Sequence, residues 1–381
     1  MKRKIAIVGA SSFQNPLILK AKEMGLETHV FAWACGDVGE QTADVFHPVS
    51  ITEIDRIADI CKEVGVEGIC SIGTDLGNIT VSKVAAKLGL NANPVECVDK
   101  STNKHRMREA FFANGDPSPK SVLVRSIEDL EGVNLSYPLI VKPVDRSGSR
   151  CISKLDTPEG LEEAVLDAVE ASFDKSAVVE EFFVGTEYSV EFISWQGEHT
   201  FLALTKKYTT GAPHFIETGH LEPAPVSSEL CERIKGVVVH ALDGLGVEYG
   251  ASHSEVLVSE SGDIRIVEIG SRMGGDCIGS DLVYLSTGID FVRAVIDIAL
   301  GVKPDLSSRH APGSAMIRFM FTEGDRIALE QARASHLDLV KRVVLSDDAN
   351  HEIVDSSSRY GYFILSAPHQ NDLAPYLPER R

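Results

Sequence analysis

Apolar positions along the first part of the chain fall into short runs that alternate with stretches of helical spacing. Residues 4–8 read as a buried strand that ends in the turn Gly9-Ala10-Ser11-Ser12, and a helix is expected from there to Gly25. Residues 28–32 form a second strand. Residues 54–64 carry apolar side chains at helical spacing and stop at Gly65. A strand at 68–72 and a helix at 79–88, ended by Gly89, complete the pattern. Strands alternating with helices imply a parallel α/β sheet, and this unit closes near Asn93-Pro94.

The rhythm then changes. Asp99 is expected to cap a helix holding Lys104, Arg106, Met107 and Phe111, broken by Asn114-Gly115-Asp116-Pro117. Short strands are expected at 138–142, 151–155, 177–181, 188–194 and 199–205, with one helix at 158–171. Residues 250–258 and 264–269 read as a hairpin around Ser261-Gly262, followed by a helix at 291–300. Lys303-Pro304 marks a boundary, beyond which strands are expected at 315–319 and 362–365. The first unit is thus parallel α/β and the middle is mixed α+β with antiparallel strands. There is no internal repeat.

Length and composition narrow this picture. A chain of 381 residues holds two or three domains of roughly 100–200 residues each. A net charge of −19 argues against general binding to nucleic acid, whose phosphates need Lys and Arg. Any anion site must therefore be local. The cysteines, Cys35, Cys61, Cys70, Cys97, Cys151, Cys231 and Cys277, include no Cys-x-x-Cys pair. That scatter suits reduced cytosolic thiols better than a disulfide framework or a zinc site. The apolar run after Met-Lys-Arg-Lys is too short for a secretion signal, and no stretch nears the ~18 apolar residues of a membrane span. A soluble, cytoplasmic protein with no nucleic-acid or membrane partner is expected.

Four places carry candidate chemistry. The turn after the first strand has Gly9 but none of the further glycines that let a backbone approach a pyrophosphate, so an ordinary βα turn is favoured over NAD binding. Lys142 ends an apolar strand and precedes Asp145-Arg146-Ser147-Gly148-Ser149-Arg150, a loop that could converge N–H and hydroxyl groups on an anion or be a plain hairpin. In the run from Glu180 through Glu181, Phe182 and Phe183 to Glu187, carboxylates stand among apolar residues. They are either solvated on an outer face or partnered by a ligand such as adenosine. Finally, Glu255 and Glu268 lie on the two arms of the hairpin, where facing carboxylates repel unless a cation sits between them. Mg²⁺, which takes oxygen ligands and bridges phosphates, suits that position. Arg272 follows in a Gly-rich turn, near enough to meet a transferring phosphoryl group or a carboxylate.

Taken in order, Lys104, Lys142, the Ser147–Ser149 loop, Glu180 to Phe183, Glu187, Glu255, and Glu268 with Arg272 resemble the ATP-grasp superfamily, and within it the carboxylate–amine ligases. The resemblance covers almost the whole chain. It implies a preATP-grasp α/β domain at 1–98, an ATP-grasp fold at 99–302 with a mobile lid subdomain at about 120–175, and a small mixed C-terminal domain at 303–381. That layout is similar to the biotin-carboxylase-like branch. It implies that Lys104 and Lys142 neutralise ATP phosphates and that Ser147, Gly148 and Ser149 close over them. Glu180, Glu181, Phe182 and Phe183 would pair with adenine, Phe183 as a backbone N–H donor, Glu187 would hold the ribose, and Glu255 and Glu268 would bind Mg²⁺ or Mn²⁺. Arg272 would stabilise the reacting group. Many family members carry Asn two residues after the second metal ligand; here Gly270 stands there, leaving one ion or two. Ligases of L-amino acids also tend to lack that Asn, and residues 206–220 resemble their substrate-facing segment. His214 and His220 are therefore substrate-site candidates, and Asp75, after the strand at 68–72, is another from a distant segment. The implied reaction activates a carboxylate as an acyl phosphate and joins it to an amine, in a homodimer. The rivals are a carboxylase that activates bicarbonate and a non-catalytic nucleotide-binding protein.

Overall fold

The computed structural model describes residues 2–148, 150–212, 215–346 and 358–378. Strands β1 (Lys4–Val8), β2 (Glu27–Ala32), β3 (Val45–Pro48) and β4 (Gly68–Cys70) form a parallel sheet in the order β3-β2-β1-β4. The helix Ile54–Val64 ends where expected, because Gly65 takes the left-handed φ of 72° that closes a helix C-terminus. The helix Val38–Thr42 and strand β3 were not expected; both are short, and β3 is mostly polar or exposed along its length.

Asp99 does not cap the helix that carries Lys104. It lies inside a separate helix, Val95–Thr102, and Asn103 is the cap of Lys104–Asn114, its side chain accepting from the backbone N–H of His105 and Arg106. An Asn one residue before the first helical position satisfies the orphan donors that Asp99 is too far upstream to reach.

A second sheet holds β5 (Ser121–Val124), β6 (Leu139–Pro143), β7 (Ser153–Leu155) and β8 (Ala177–Glu181), all antiparallel neighbours in the order β5-β8-β6-β7. It has its own small core of Val124, Leu139, Val141, Val165, Ala168, Ala177 and Val179, closed by the helix Leu161–Ala171. A separate core is what allows such a unit to move as a body.

The third sheet is the largest. It contains β9 (Thr186–Trp195), β10 (Glu198–Thr209), β11 (Glu217–Glu222), β12 (Tyr249–Val258), β13 (Ile264–Gly270), β14 (Ser314–Met320), β15 (Val340–Leu345) and β16 (Gly361–Ala367). Their order is β13-β12-β9-β10-β11-β14-β16-β15. Strands from the last part of the chain therefore extend the central sheet through the β11–β14 ladder. One face packs on the helix Ser228–Leu245, whose Ile234, Val238, Ala241, Leu242 and Leu245 join Phe192, Val256 and Ile266 in a core. A helix at Phe291–Ala299 ties the parallel sheet to the central one, sharing a core with Ile5, Ile7, Ile193 and Ala251. No helix among the described residues is long and apolar enough to cross a membrane.

Candidate nucleotide and substrate site

Register explains why the polar groups meet. Residues directly opposite each other in an antiparallel pair share a face, as do residues two apart on one strand. Glu255 stands opposite Ser189 on one side and Glu268 on the other, His253 opposite Glu191, and Lys207 opposite His220. The face that results lines a cavity of about 800 Å³. Lys104, Lys142, Ser147, Gly148, Phe182, Phe183, Glu187, His220, Glu255, Glu268 and Arg272 all contribute to its wall. Of the residues singled out in the sequence, Ser149 and His214 lie outside the described residues, and Glu180, Glu181 and Asp75 are not in the wall.

Glu180 is 1% exposed and its carboxylate is fully engaged. It accepts from Arg108 Nε at 2.7 Å and Nη2 at 3.2 Å, and from Lys142 Nζ at 2.8 Å. Burial alone would raise its pKa, but the two cations outweigh it and hold the carboxyl at about 2. Glu181 accepts from the Ser136 backbone N–H at 2.9 Å. The side chains of both residues are thus spent on structure, and any nucleotide contact from them falls to the backbone. Arg108 was not foreseen, since its partner lies 72 residues away in sequence. Arg108 and Lys142 share one carboxylate, so the triad keeps a net positive charge, and Lys142 is its member in the cavity wall. Burial lowers the Lys142 pKa against the pull of Glu180.

Lys104 Nζ donates to the Arg146 carbonyl at 2.7 Å and pairs with Glu268 at 3.2 Å, so it joins the loop after β6 to the end of β13. In that loop Gly148 has φ 74°, a conformation that favours glycine.

Lys207 is the centre of the acidic end. Its ammonium lies 2.6 Å from Glu187, 2.7 Å from Glu255 and 3.7 Å from Glu217. Burial opposes its charge, yet these carboxylates raise its pKa well above the usual lysine value. Burial outweighs Lys207 at Glu187, whose pKa is raised; at Glu255, Lys207 and His253 overcome burial and the pKa falls well below normal. His253 Nδ1 donates to Glu191 at 2.5 Å, and its Nε2 lies 3.5 Å from Glu255. Burial disfavours the imidazolium, but Glu191 and Glu255 bring its pKa to about 9. Glu255 and Glu268, opposite each other with hard oxygen donors, fit the requirements of Mg²⁺. No group of three or more His, Cys, Asp or Glu among the described residues could hold a metal alone, so phosphate or water oxygens would have to complete a shell.

Arg272 Nε donates to Asp75 at 2.8 Å. Asp276 and Asp281, the partners available nearby in sequence, are taken by Arg359 and Arg342 at 2.8 and 2.9 Å. A Cβ at Gly270 would stand 3.2 Å from the Arg272 guanidinium carbon, so glycine here gives that side chain its room. His220 is 1% exposed, lines the cavity, and has no hydrogen-bond partner on either ring nitrogen. Asp276 lies 3.6 Å away, and burial lowers the His220 pKa. Arg359, Lys207, His253 and Asp276 are the site residues that sequence reasoning missed. A signal existed for Lys207, since a strand with adjacent Lys206 and Lys207 must turn one of them inward.

A parallel α/β unit, a separately cored lid and a long antiparallel sheet enclosing a cation- and carboxylate-lined cavity define an ATP-grasp fold. The chain carries an ATP-grasp domain: residues 135–280 match the model of that domain. Over 306 residues it is 25% identical to an alanine–anticapsin ligase of Bacillus subtilis, covering 71% of this chain and 64% of that protein. The chain thus spans slightly less than two thirds of that relative. It is also similar to a D-alanine–D-alanine ligase of Ectopseudomonas mendocina, 26% identical over 209 residues, covering 51% of this chain and 64% of the relative. Among solved structures, an L-amino acid ligase from Bacillus licheniformis superposes with a TM-score of 0.85 at 25% identity, covering 98% of this chain and 96% of the other.

Proposed function

We propose that the protein is an ATP-dependent carbon–nitrogen ligase that activates the carboxylate of an amino acid as an acyl phosphate and couples it to an amine, releasing ADP and phosphate. The observation that carries this reading is the single cavity lined by Lys104 and Lys142, Glu255 and Glu268, and Arg272. Phosphoryl transfer needs positioned cations at the phosphates, oxygen ligands for a divalent ion, and a charge stabiliser at the acceptor. The ligase names of the relatives support the same reading.

In this account Lys104 and Lys142 bind the phosphates, with Arg108 and Glu180 fixing Lys142. Ser147, Gly148 and Ser149 close over them. The stretch from Glu180 to Phe183 pairs with the adenine, Phe183 as backbone N–H donor, and Glu187 holds the ribose. Glu255 and Glu268 would hold one or two Mg²⁺ or Mn²⁺ ions, which would supply charge neutralisation at the phosphates. Arg272, oriented by Asp75, stabilises first the acyl phosphate and then the oxyanion formed as the amine attacks. His214 and His220 belong to the substrate end. The domain division at 98 and 302, the homodimer and the cytoplasmic location are part of the same proposal.

The test is phosphate release from MgATP across a matrix of amino acids and amines, with product masses read out. Release that needs both an amino acid and an amine, with a condensed product, supports the ligase. Release that follows bicarbonate instead indicates a carboxylase, and binding without release a non-catalytic protein.

A further inference from the structure

Lys207 is a buried ammonium that no expected step uses, yet it occupies the centre of the carboxylates that MgATP would need. It lies on β10, 7% exposed, and bridges Glu187 and Glu255 at 2.6 and 2.7 Å. Those are the two carboxylates assigned above to the ribose and to the metal. A third, Glu217, is 3.7 Å away, towards the end of the cavity that holds His220 and Arg359. Without a cation here, Glu187 and Glu255, with Glu217 shared with Arg359 at 3.2 Å, would stand within reach of one point in a partly buried wall, an arrangement that repels. With a cation here, a divalent ion on Glu255 would lie within repulsive range of the ammonium. The ammonium sits on Oε1 of Glu255, so an ion that takes that oxygen must displace it.

We infer that Lys207 is a transferable counter-ion: it holds Glu187 and Glu255 when no nucleotide is bound, and turns to Glu217 when MgATP takes them. The inference rests on the assignment of Glu255 as a metal ligand. It adds that nucleotide loading and the charge at the substrate end are one event. Before loading, Lys207 keeps the acidic wall neutral and the carboxylates in place. After loading, its ammonium offsets Glu217 and faces the region where a substrate carboxylate must approach the γ-phosphate. That approach needs a further cation, because Arg359 is already shared between Glu217 and Asp276 and Lys104 is already paired with Glu268. Arg272 supplies one such charge but is tied to Asp75. The side chain needs only to pivot, since Glu217 Oε1 is already 3.7 Å away.

Two measurements test this. The first is a crystal structure of the wild-type protein with Mn²⁺ and ADP. The expected result is manganese on Glu255 and Glu268 with the Lys207 ammonium displaced from Glu255 towards Glu217. Manganese on those carboxylates with Lys207 still bridging Glu187 and Glu255 overturns the inference while leaving the metal assignment intact. Manganese elsewhere overturns both. The second compares wild type with Lys207→Met by thermal melting, with and without MgADP, and by titration of Mg²⁺ at saturating ADP. Removing the resident cation should lower the melting temperature of the nucleotide-free protein. It should enlarge the rise produced by MgADP and tighten the apparent Mg²⁺ affinity roughly tenfold, since the ion no longer has to displace a competitor. Weaker Mg²⁺ or ADP binding in the variant would make Lys207 a ligand of the nucleotide rather than a placeholder, and would refute the inference.

Discussion

Replacing Glu180 by Gln tests the buried triad that carries Lys142. The wild-type carboxylate is 1% exposed and takes three hydrogen bonds from Arg108 and Lys142. Its pKa falls from 4.5 to about 2, which at about 1.4 kcal/mol per unit is on the order of 3 kcal/mol. Removing one partner of a buried ion pair costs about 3–5 kcal/mol, because the remaining charge is left uncompensated. Here two cations are left, so a loss of about 3 kcal/mol is expected at pH 7. One process limits it: burial already lowers the Lys142 pKa, so Lys142 can shed its proton in the variant. A lysine whose folded pKa is depressed gains stability as pH rises towards its unfolded value, so the variant should recover part of the loss between pH 7 and 10. In the wild type the sign is the same but the window is acidic. Glu180 contributes stability above the unfolded carboxylate range, lost as pH falls from about 4.5 towards 2. Urea unfolding followed by circular dichroism, from pH 3 to 10, measures both. A variant as stable as wild type at pH 7 would refute the reasoning, as would a loss that does not shrink on raising the pH.

Further outcomes follow from the same geometry. Arg272→Lys keeps the charge but loses the planar fork that meets Asp75, so MgATP affinity should stay within a few-fold while product formation falls roughly a hundredfold; an equal fall in both would refute a role confined to acyl transfer. Glu255→Gln and Glu268→Gln should each abolish phosphate release, and because each carboxylate neutralises a lysine, the nucleotide-free proteins should also melt below wild type; normal turnover in either would rule out the metal assignment. Amide exchange across residues 143–152 should slow on adding MgATP if the loop after β6 closes on phosphates; unchanged exchange with nucleotide bound would make it only a hairpin. Glu222, buried and accepting hydroxyls from Thr205 and Ser286 at 2.6 and 2.5 Å, has its pKa pushed by burial up to about 7. A raised folded pKa gives stability that is present below about 4.5 and is lost as pH rises through 7, so Glu222→Gln should flatten the decline in melting temperature between about pH 4.5 and 7. An unchanged slope would contradict it.

Much of the fold is local and could be read locally. Gly65 and Gly89 ended their helices because a left-handed C-cap needs no tertiary help. The β12–β13 hairpin was visible because alternation and a Ser-Gly turn fix it. The helix Ser228–Leu245 was missed although Ile234, Val238, Ala241 and Leu245 mark one face at helical spacing. The joining of β14, β15 and β16 to the central sheet could not be read, because strand order depends on pairing between distant segments. The site divides in the same way. Glu255 and Glu268 were found through a local hairpin. The cations that neutralise them, Lys207 and Lys104, lie 48 residues before Glu255 and on a helix far upstream of Glu268, and no short-range pattern links them. Arg272 likewise is oriented by Asp75 from 197 residues away, beyond any short-range pattern.

The central claim is that a carboxylate oxygen attacks the γ-phosphate. The direct measurement is isotope transfer: a pool of amino acids with oxygen-18 carboxylates is turned over with MgATP and an amine, and the released phosphate is weighed by mass spectrometry. The account predicts one heavy oxygen per phosphate, ADP as the other nucleotide product, and a condensed product that retains the remaining carboxylate oxygen. Unlabelled phosphate, or AMP with pyrophosphate in place of ADP, would contradict it.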